Sequence, residues 1–446
     1  MTPQKLSSKE KFSFVLANLG NIPVQTLIGS FLLIFYTNVC GLNPAACATL
    51  FLIARIADGL NDPIVGFVID HLPRTRLGRF RSPLIIGAIL CALNFLLLWF
   101  GPMMATTGKL AIAYVSYLLI GVIFPIMDIS LNSLLSVMTT DMKERNTLST
   151  IKGTVYMVGA VALSIAAPII LGDTSNRDGY VVLILLAAGM VAVLSVIGAL
   201  GVKERVAPEE GEKYSFKDLF RILGQKAVWS TFVTMLLYST GLAALNTINS
   251  YYFTYVVGDF NLFGIVSLII MVAMVVAMLI SSPFVAKIGK KRMFLIGMVI
   301  FGFLPLIRII APTNLAIVMV ASVLIGIGQG ICQPLQYGIQ ADNTDYVELH
   351  MNHRAEGAVA SLSSFIAKCA NGIGGAIPGY MLAWAGFDST QSAQNAAVNR
   401  TIILCTSLIP AIFCLIGIIL FAACYPLTKE KLAEQNQEIM KRRGEN

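Results

Sequence analysis

The run Arg55-Ile56-Ala57-Asp58-Gly59-Leu60-Asn61-Asp62-Pro63 lies inside a stretch, residues 43–70, that is otherwise strongly apolar. At helical spacing Arg55, Asp58 and Asp62 fall at i, i+3 and i+7 with Asn61 beside them, so all four share one face. In the middle of a bilayer an ionisable group costs roughly 2.5–3.5 kcal/mol, and each one calls for a partner, a water-filled cavity or a function. Whether this helix is a membrane helix depends on the rest of the chain.

The composition answers that. Of 446 residues, 56% are hydrophobic and only 13% charged, with a mean hydropathy of +0.77. Soluble domains run near 45–50% apolar and 25% charged. A soluble enzyme, a disordered chain and a nucleic-acid binder are therefore excluded as readings. One span takes roughly 20 apolar residues, so the length accommodates about a dozen. Hydropathy predicts spans near 13–38, 43–70, 82–101, 110–138, 147–171, 179–202, 228–256, 262–287, 292–311, 314–341, 357–384 and 400–425. The fold class expected is an all-α membrane protein of twelve transmembrane helices in two six-helix halves. A polar stretch at the midpoint divides the chain into a first half at 1–202, a central cytoplasmic loop at 203–226, a second half at 227–426 and a cytoplasmic tail at 427–446. The apolar run after Lys11 is too long for a signal-peptide core and should remain as the first span.

Positive charge sets the orientation. The net charge is +8, and Lys and Arg concentrate in alternate loops: Arg74, Arg76, Arg79, Arg81, Lys143, Arg145, Lys203, Arg205, Lys290, Lys291 and Arg292 on one side, against Lys109, Arg177 and Arg400 on the other. Basic loops face the cytoplasm, so both termini are expected inside, with lipid around the spans; the expected location is a bacterial inner membrane. Two of the inward loops echo one another, Leu77-Gly78-Arg79-Phe80-Arg81 after the second span and Ile288-Gly289-Lys290-Lys291-Arg292 after the eighth. This repeat resembles the loop that recurs in the two halves of major facilitator superfamily transporters.

Two carboxylates at i and i+4 repel, and in a medium of low dielectric the repulsion must be offset by protonation or a bound cation. Asp58, Asn61 and Asp62 offer hard oxygen ligands for such a cation, with Arg55 able to neutralise a vacant carboxylate. The competing reading is a static ion-pair network holding helices together. Asp128 in the fourth span, Lys152 in the fifth and Lys368 in the eleventh add an acid and two bases to the apolar interior, as substrate contacts or as charge partners. The eight cysteines show no metal-ligand spacing and read as small buried hydrophobes, with a Cys40–Cys47 disulfide open. His71, His350 and His353 fall in inward loops, which argues against a buried imidazole proton relay. Trp99, Trp229 and Trp384 lie near span ends, where interfacial anchoring is expected.

Several motifs together resemble the glycoside-pentoside-hexuronide:cation symporters, the branch of the major facilitator superfamily that includes melibiose permease and glucuronide carriers. They are Phe35-Tyr36-Thr37-Asn38, Arg55 to Pro63, Gly78-Arg79-Phe80-Arg81, Ile126-Met127-Asp128-Ile129, Tyr251 to Asp259 and Ala341-Asp342-Asn343-Thr344-Asp345-Tyr346. The resemblance implies that Asp58, Asn61 and Asp62 bind Na⁺, Li⁺ or H⁺ and that Asp128 binds the sugar. It also implies that Lys152 stands for a sugar-site arginine and Asn21 for a sugar-gripping aspartate, and that Asn132 and Gln333 occupy aromatic positions near the sugar. Pro125 replaces a threonine that lines the family's cation site. The segment Lys368 to Pro378 is similar to the glucuronide and xyloside carriers, and losing an acid at Asn21 while keeping Lys152 and Lys368 makes an anionic sugar easier to admit.

The resulting expectation is a monomeric symporter, not an enzyme, that imports a sugar or glycoside, a hexuronide or pentoside among the candidates. It would use Na⁺ or H⁺ as the coupling cation, with no other cofactor. The alternative is a facilitator or exporter of another small amphipathic solute, with the intramembrane charges structural.

Overall fold

The computed structural model describes residues 6–71, 75, 77–139, 141–205, 221–351, 356–391 and 393–443. Its framework is helical: α1 (Ser8–Asn38), α2 (Pro44–His71), α3 (Arg81–Met104), α4 (Lys109–Met138), α5 (Met142–Leu171), α6 (Arg177–Gly201), α7 (Lys226–Val257), α8 (Leu262–Ile288), α9 (Lys290–Ile309), α10 (Leu315–Met351), α11 (Glu356–Trp384), α12 (Ala396–Cys424) and α13 (Lys429–Arg443). Ten of these, all but α2, α11 and α13, are long and apolar enough over the described residues to cross a membrane. α2 and α11 have 28 and 29 residues, so each, at 1.5 Å per residue, exceeds the roughly 30 Å of hydrocarbon. This is the membrane-protein class that composition demanded.

Local signals start and stop the helices. Ser7 caps α1 by accepting from the Glu10 amide while the Glu10 carboxylate accepts from the Ser7 amide at 3.1 Å, a reciprocal capping box. The two echoing basic loops each turn on a glycine with positive φ, +124° at Gly78 and +87° at Gly289, a backbone region that side chains disfavour. After Gly78, Glu204 accepts three backbone N–H bonds of 2.8 Å each from Arg79, Phe80 and Arg81, so a carboxylate from beyond the end of α6 satisfies the start of α3. Arg205 returns to Glu10 at 2.6 Å. In the matching region after Gly289, Lys290 pairs with Asp342 of α10 at 2.7 Å, and Lys429 of α13 donates to the Lys287 carbonyl.

The chain divides into two compact units, one of residues 1–209, 249–265 and 379–395, the other of 210–248, 266–378 and 396–446. The first is built on α1, which packs against α5 and α6. α1 and α6 come close because Gly198 has no side chain: a Cβ there would lie 2.4 Å from the Ala17 nitrogen. At one end of this unit Tyr251 and Tyr255 hydrogen-bond Thr37 and Asn38, each at 2.7 Å. The second unit has its own apolar core, including Tyr238, Phe294, Phe301, Cys332 and Phe421, onto which Leu432 of α13 packs.

Some expectations change. Trp99 is not an interfacial anchor: it is fully buried, its ring 4.8 Å from Phe35 and 5.8 Å from Phe95. An interior aromatic cluster takes up the surface that the interface would have covered. Trp384, 93% exposed, has the surface position expected. α10 continues to Met351, ten residues past its expected end, because Asp342 finds Lys290 and its backbone carbonyl receives the Gln435 amide at 3.0 Å. His350 therefore lies on a helix, its ring stacked 3.9 Å from Tyr346. His71 closes α2, and His353 lies outside the described residues. Cys40 and Cys47 are both free thiols. Residues 206–220 of the central loop lie outside the described residues.

Candidate functional site

The polar residues singled out in the first unit form two clusters, both resting on α4. In the first, the Arg55 guanidinium meets the Asp58 carboxylate at 3.3 Å, and the Tyr117 hydroxyl also faces Arg55. Asp58 is 7% exposed. It fits because α4 presents Gly121 at the contact: a Cβ on Gly121 would lie 1.8 Å from Asp58 Oδ1. One turn on from Asp58, the Asn61 amide donates to the Gly121 carbonyl at 3.0 Å, which commits its N–H to α4 and leaves its Oδ1 as an acceptor. The backbone of Asp62 continues α2, and its side chain lies outside the described residues.

The second cluster joins α1, α4 and α5. The Asn21 amide donates to Asp128 Oδ1 at 2.6 Å and to the Tyr156 hydroxyl at 2.5 Å. Asn132 donates to Asp128 Oδ2 at 3.1 Å and accepts from the Lys152 ammonium. Asp128 and Lys152 are thus connected through an amide, not by a direct ion pair. The geometry follows from the spacing. Asp128 and Asn132 are i and i+4 on α4, Lys152 and Tyr156 are i and i+4 on α5, and antiparallel neighbours bring these stacked pairs face to face.

Gly121 and Asp128 lie seven residues apart on α4, about 10 Å along the axis. One helix, with Pro125 between the two positions, therefore carries the floor of the Asp58 site and the acid of the second cluster. Among the described side chains the two clusters hold Arg55 and Lys152 against Asp58 and Asp128, a balanced set that a low-dielectric interior tolerates. Of the remaining expected residues, Gln333 is exposed on α10 and Lys368 half-buried on α11, both in the second unit. Among the described residues no group of three or more His, Cys, Asp or Glu side chains could hold a metal.

Sequence reasoning missed three contributors. Tyr117 and Gly121 carried no signal, since an aromatic and a glycine are ordinary in an apolar helix. Tyr156 could have been found, because it stands four residues from Lys152 and must share its face.

Long apolar helices with opposite charges held in their interior define a membrane protein with a polar site inside its helices. The chain belongs to the family described as MFS/sugar transport protein, whose model matches residues 13–429. It is accordingly a transporter and not an enzyme. The chain is similar to the isoprimeverose transporter of Lactiplantibacillus pentosus, 32% identical over 400 residues that cover 87% of this chain and 83% of that one. It is also similar to the glucuronide carrier protein homolog of Escherichia coli (strain K12), 29% identical over 99% of this chain and 97% of the relative. Among solved structures, a bacterial homolog of the human lysosomal transporter Spinster superposes with a TM-score of 0.73 at 13% identity, over 97% of this chain and 99% of that one. At that identity the likeness concerns the fold.

Proposed function

We propose that the protein imports a glycoside by symport with a monovalent cation, Na⁺ or H⁺, through alternating access, with all twelve long helices crossing the membrane and both termini cytoplasmic. The observation that carries this reading is the pair of polar clusters on one helix. Asp58, Asn61 and Asp62 are assigned to the cation, and Asp128, Asn132 and Lys152 to the sugar. Coupling requires both ligands to favour the same transition, and α4 offers a short mechanical route between their sites. One positive charge moving inward down 100 mV supplies about 2.3 kcal/mol, roughly fifty-fold accumulation. The isoprimeverose transporter and the glucuronide carrier homolog among its relatives support a pentose-containing or acidic glycoside as cargo.

The Arg55–Asp58 contact favours one other reading, a facilitator in which these charges only hold helices together. Uptake of labelled glycoside into vesicles separates the two. The symporter concentrates its substrate under an ion gradient, and Asp58→Asn and Asp62→Asn reduce it to equilibration. Full cation-driven accumulation in both variants removes the coupling role.

A further inference from the structure

Asn21 is fully buried, and both of its amide contacts run inward, to Asp128 and Tyr156. Their chemistry fixes its orientation, because an ionised carboxylate only accepts, so the group facing Asp128 Oδ1 must be the amide nitrogen. The same nitrogen then donates to the Tyr156 oxygen. The Asn21 carbonyl is buried without a hydrogen-bond partner, so the residue is held by what its amide binds. Asn21 has no accessible surface and its donors are spent on α4 and α5, which makes it a brace between those helices.

The consequence falls on Tyr156. A phenol carries one proton and two lone pairs. The Asn21 N–H occupies a lone pair, which turns the hydroxyl hydrogen away from Asn21. Among the described residues no protein acceptor receives that hydrogen. Tyr156 is half-buried, as are Lys152 and Asp128, while Asn132 is exposed. One turn away on the same face of α5, the Lys152 ammonium is held by a neutral amide oxygen, which a ligand oxygen can replace.

We propose that Tyr156 is a specificity-determining residue that donates its hydroxyl hydrogen to an acceptor oxygen of the glycoside, beside Lys152, and that Asn21 is a positioning residue that aims it. This inference rests on the glycoside-transport reading and deepens it by naming a donor at that site. The oxygen recognised acts as an acceptor: a ring, glycosidic, hydroxyl or carboxylate oxygen. A small panel of sugars separates the carboxylate from the oxygens that all the glycosides share.

The test uses the purified full-length protein in proteoliposomes, with counterflow of labelled methyl β-xyloside, methyl β-glucoside and methyl β-glucuronide. For Tyr156→Phe, which removes one oxygen and keeps the ring, KM rises about three- to tenfold, the worth of one hydrogen bond, with little change in maximal rate. An equal rise for every transported sugar points to an oxygen that all of them carry, in the ring, the glycosidic link or a hydroxyl, and a rise confined to the glucuronide points to its carboxylate. A purely structural role would lower the amount of active protein and leave KM alone. A second measurement needs no variant: for a transported sugar, a carbocyclic analogue lacking the ring oxygen gives a lower thermal shift with wild-type protein if that oxygen is the one read. In that case Tyr156→Phe removes the difference. Wild-type transport with an unchanged KM in Tyr156→Phe for every transported sugar overturns the assignment of Tyr156 while leaving glycoside transport standing. A wild-type protein that moves none of the three overturns the transport reading itself, and with it this inference.

Discussion

Gly121→Ala adds one methyl group to α4 where Asp58 of α2 rests. The added Cβ would fall 1.8 Å from Asp58 Oδ1, against a floor of 3.0 Å below which real Cβ atoms essentially never approach, so the carboxylate must retreat by about 1.2 Å. Ligand positions in a working site are held to about 0.5 Å, and a misplacement of about 1 Å costs on the order of a hundredfold in a positioned reaction. The expected result is a ten- to hundredfold rise in the cation concentration giving half-maximal glycoside uptake. Glycine to alanine within a helix by itself favours the fold by about 1 kcal/mol, so a general loss of helix stability is not the cause. Gly189→Ala serves as the control, since a Cβ there meets nothing within 4 Å. The assay is uptake into proteoliposomes over a titration of Na⁺ and, separately, of external pH. A half-saturating cation concentration in Gly121→Ala within twofold of wild type would refute the placement of Asp58 at the coupling site.

Other outcomes follow from the same structure. Asn21→Asp sets a second carboxylate against Asp128 where the amide now sits at 2.6 Å; with Tyr156 and Lys152 the facing ionisable groups, one acid must hold a proton. Uptake by this variant should fall more steeply with rising pH than wild-type uptake does, and a parallel pH profile would contradict the contact. Glu204→Ala strands the three amides it accepts at 2.8 Å; a loss of about 2–3 kcal/mol is expected in thermal or denaturant unfolding in detergent. Lys290→Met leaves the largely buried Asp342 without the partner it holds at 2.7 Å and should cost about 3 kcal/mol, while the double change Lys290→Met with Asp342→Leu recovers most of that loss, as paired removal of buried ions does. Burial pushes the Cys40 thiol up from 9.0 to about 12. Its neutral form therefore contributes stability that is intact below about pH 9 and fades as pH rises toward 12, and its alkylation at pH 8.5 should lag behind that of a free thiol.

The helices were legible because a bilayer demands about 20 apolar residues per span, a signal that survives without knowledge of packing. The charged face of α2 was legible for the same reason, since Arg55 and Asp58 stand out against an apolar background. Partners were harder to read. That Asp128 reaches Lys152 through Asn132, with Asn21 wedged on its other side, depends on the register of α4 against α5 and α1, which no local pattern specifies. Gly121 was invisible because its function is the absence of a side chain. Trp99 misled because proximity to a span end suggests an interface, whereas Phe35 of α1 and Tyr180 of α6 enclose it from other helices and Phe95 from the preceding turn of its own. The end of α10 was set too early because Asp342 and Asp345 read as a return to water until Lys290 and Gln435 supply partners.

The account depends most on the claim that an ion gradient drives glycoside accumulation through Asp58. The direct measurement is the steady-state ratio of internal to external labelled glycoside in proteoliposomes under an imposed Na⁺ or proton gradient, before and after an ionophore dissipates it. The account predicts a ratio well above one for wild type that collapses with the gradient, and a ratio of one throughout for Asp58→Asn. A wild-type ratio of one under both gradients, or accumulation that persists undiminished in Asp58→Asn, would contradict it.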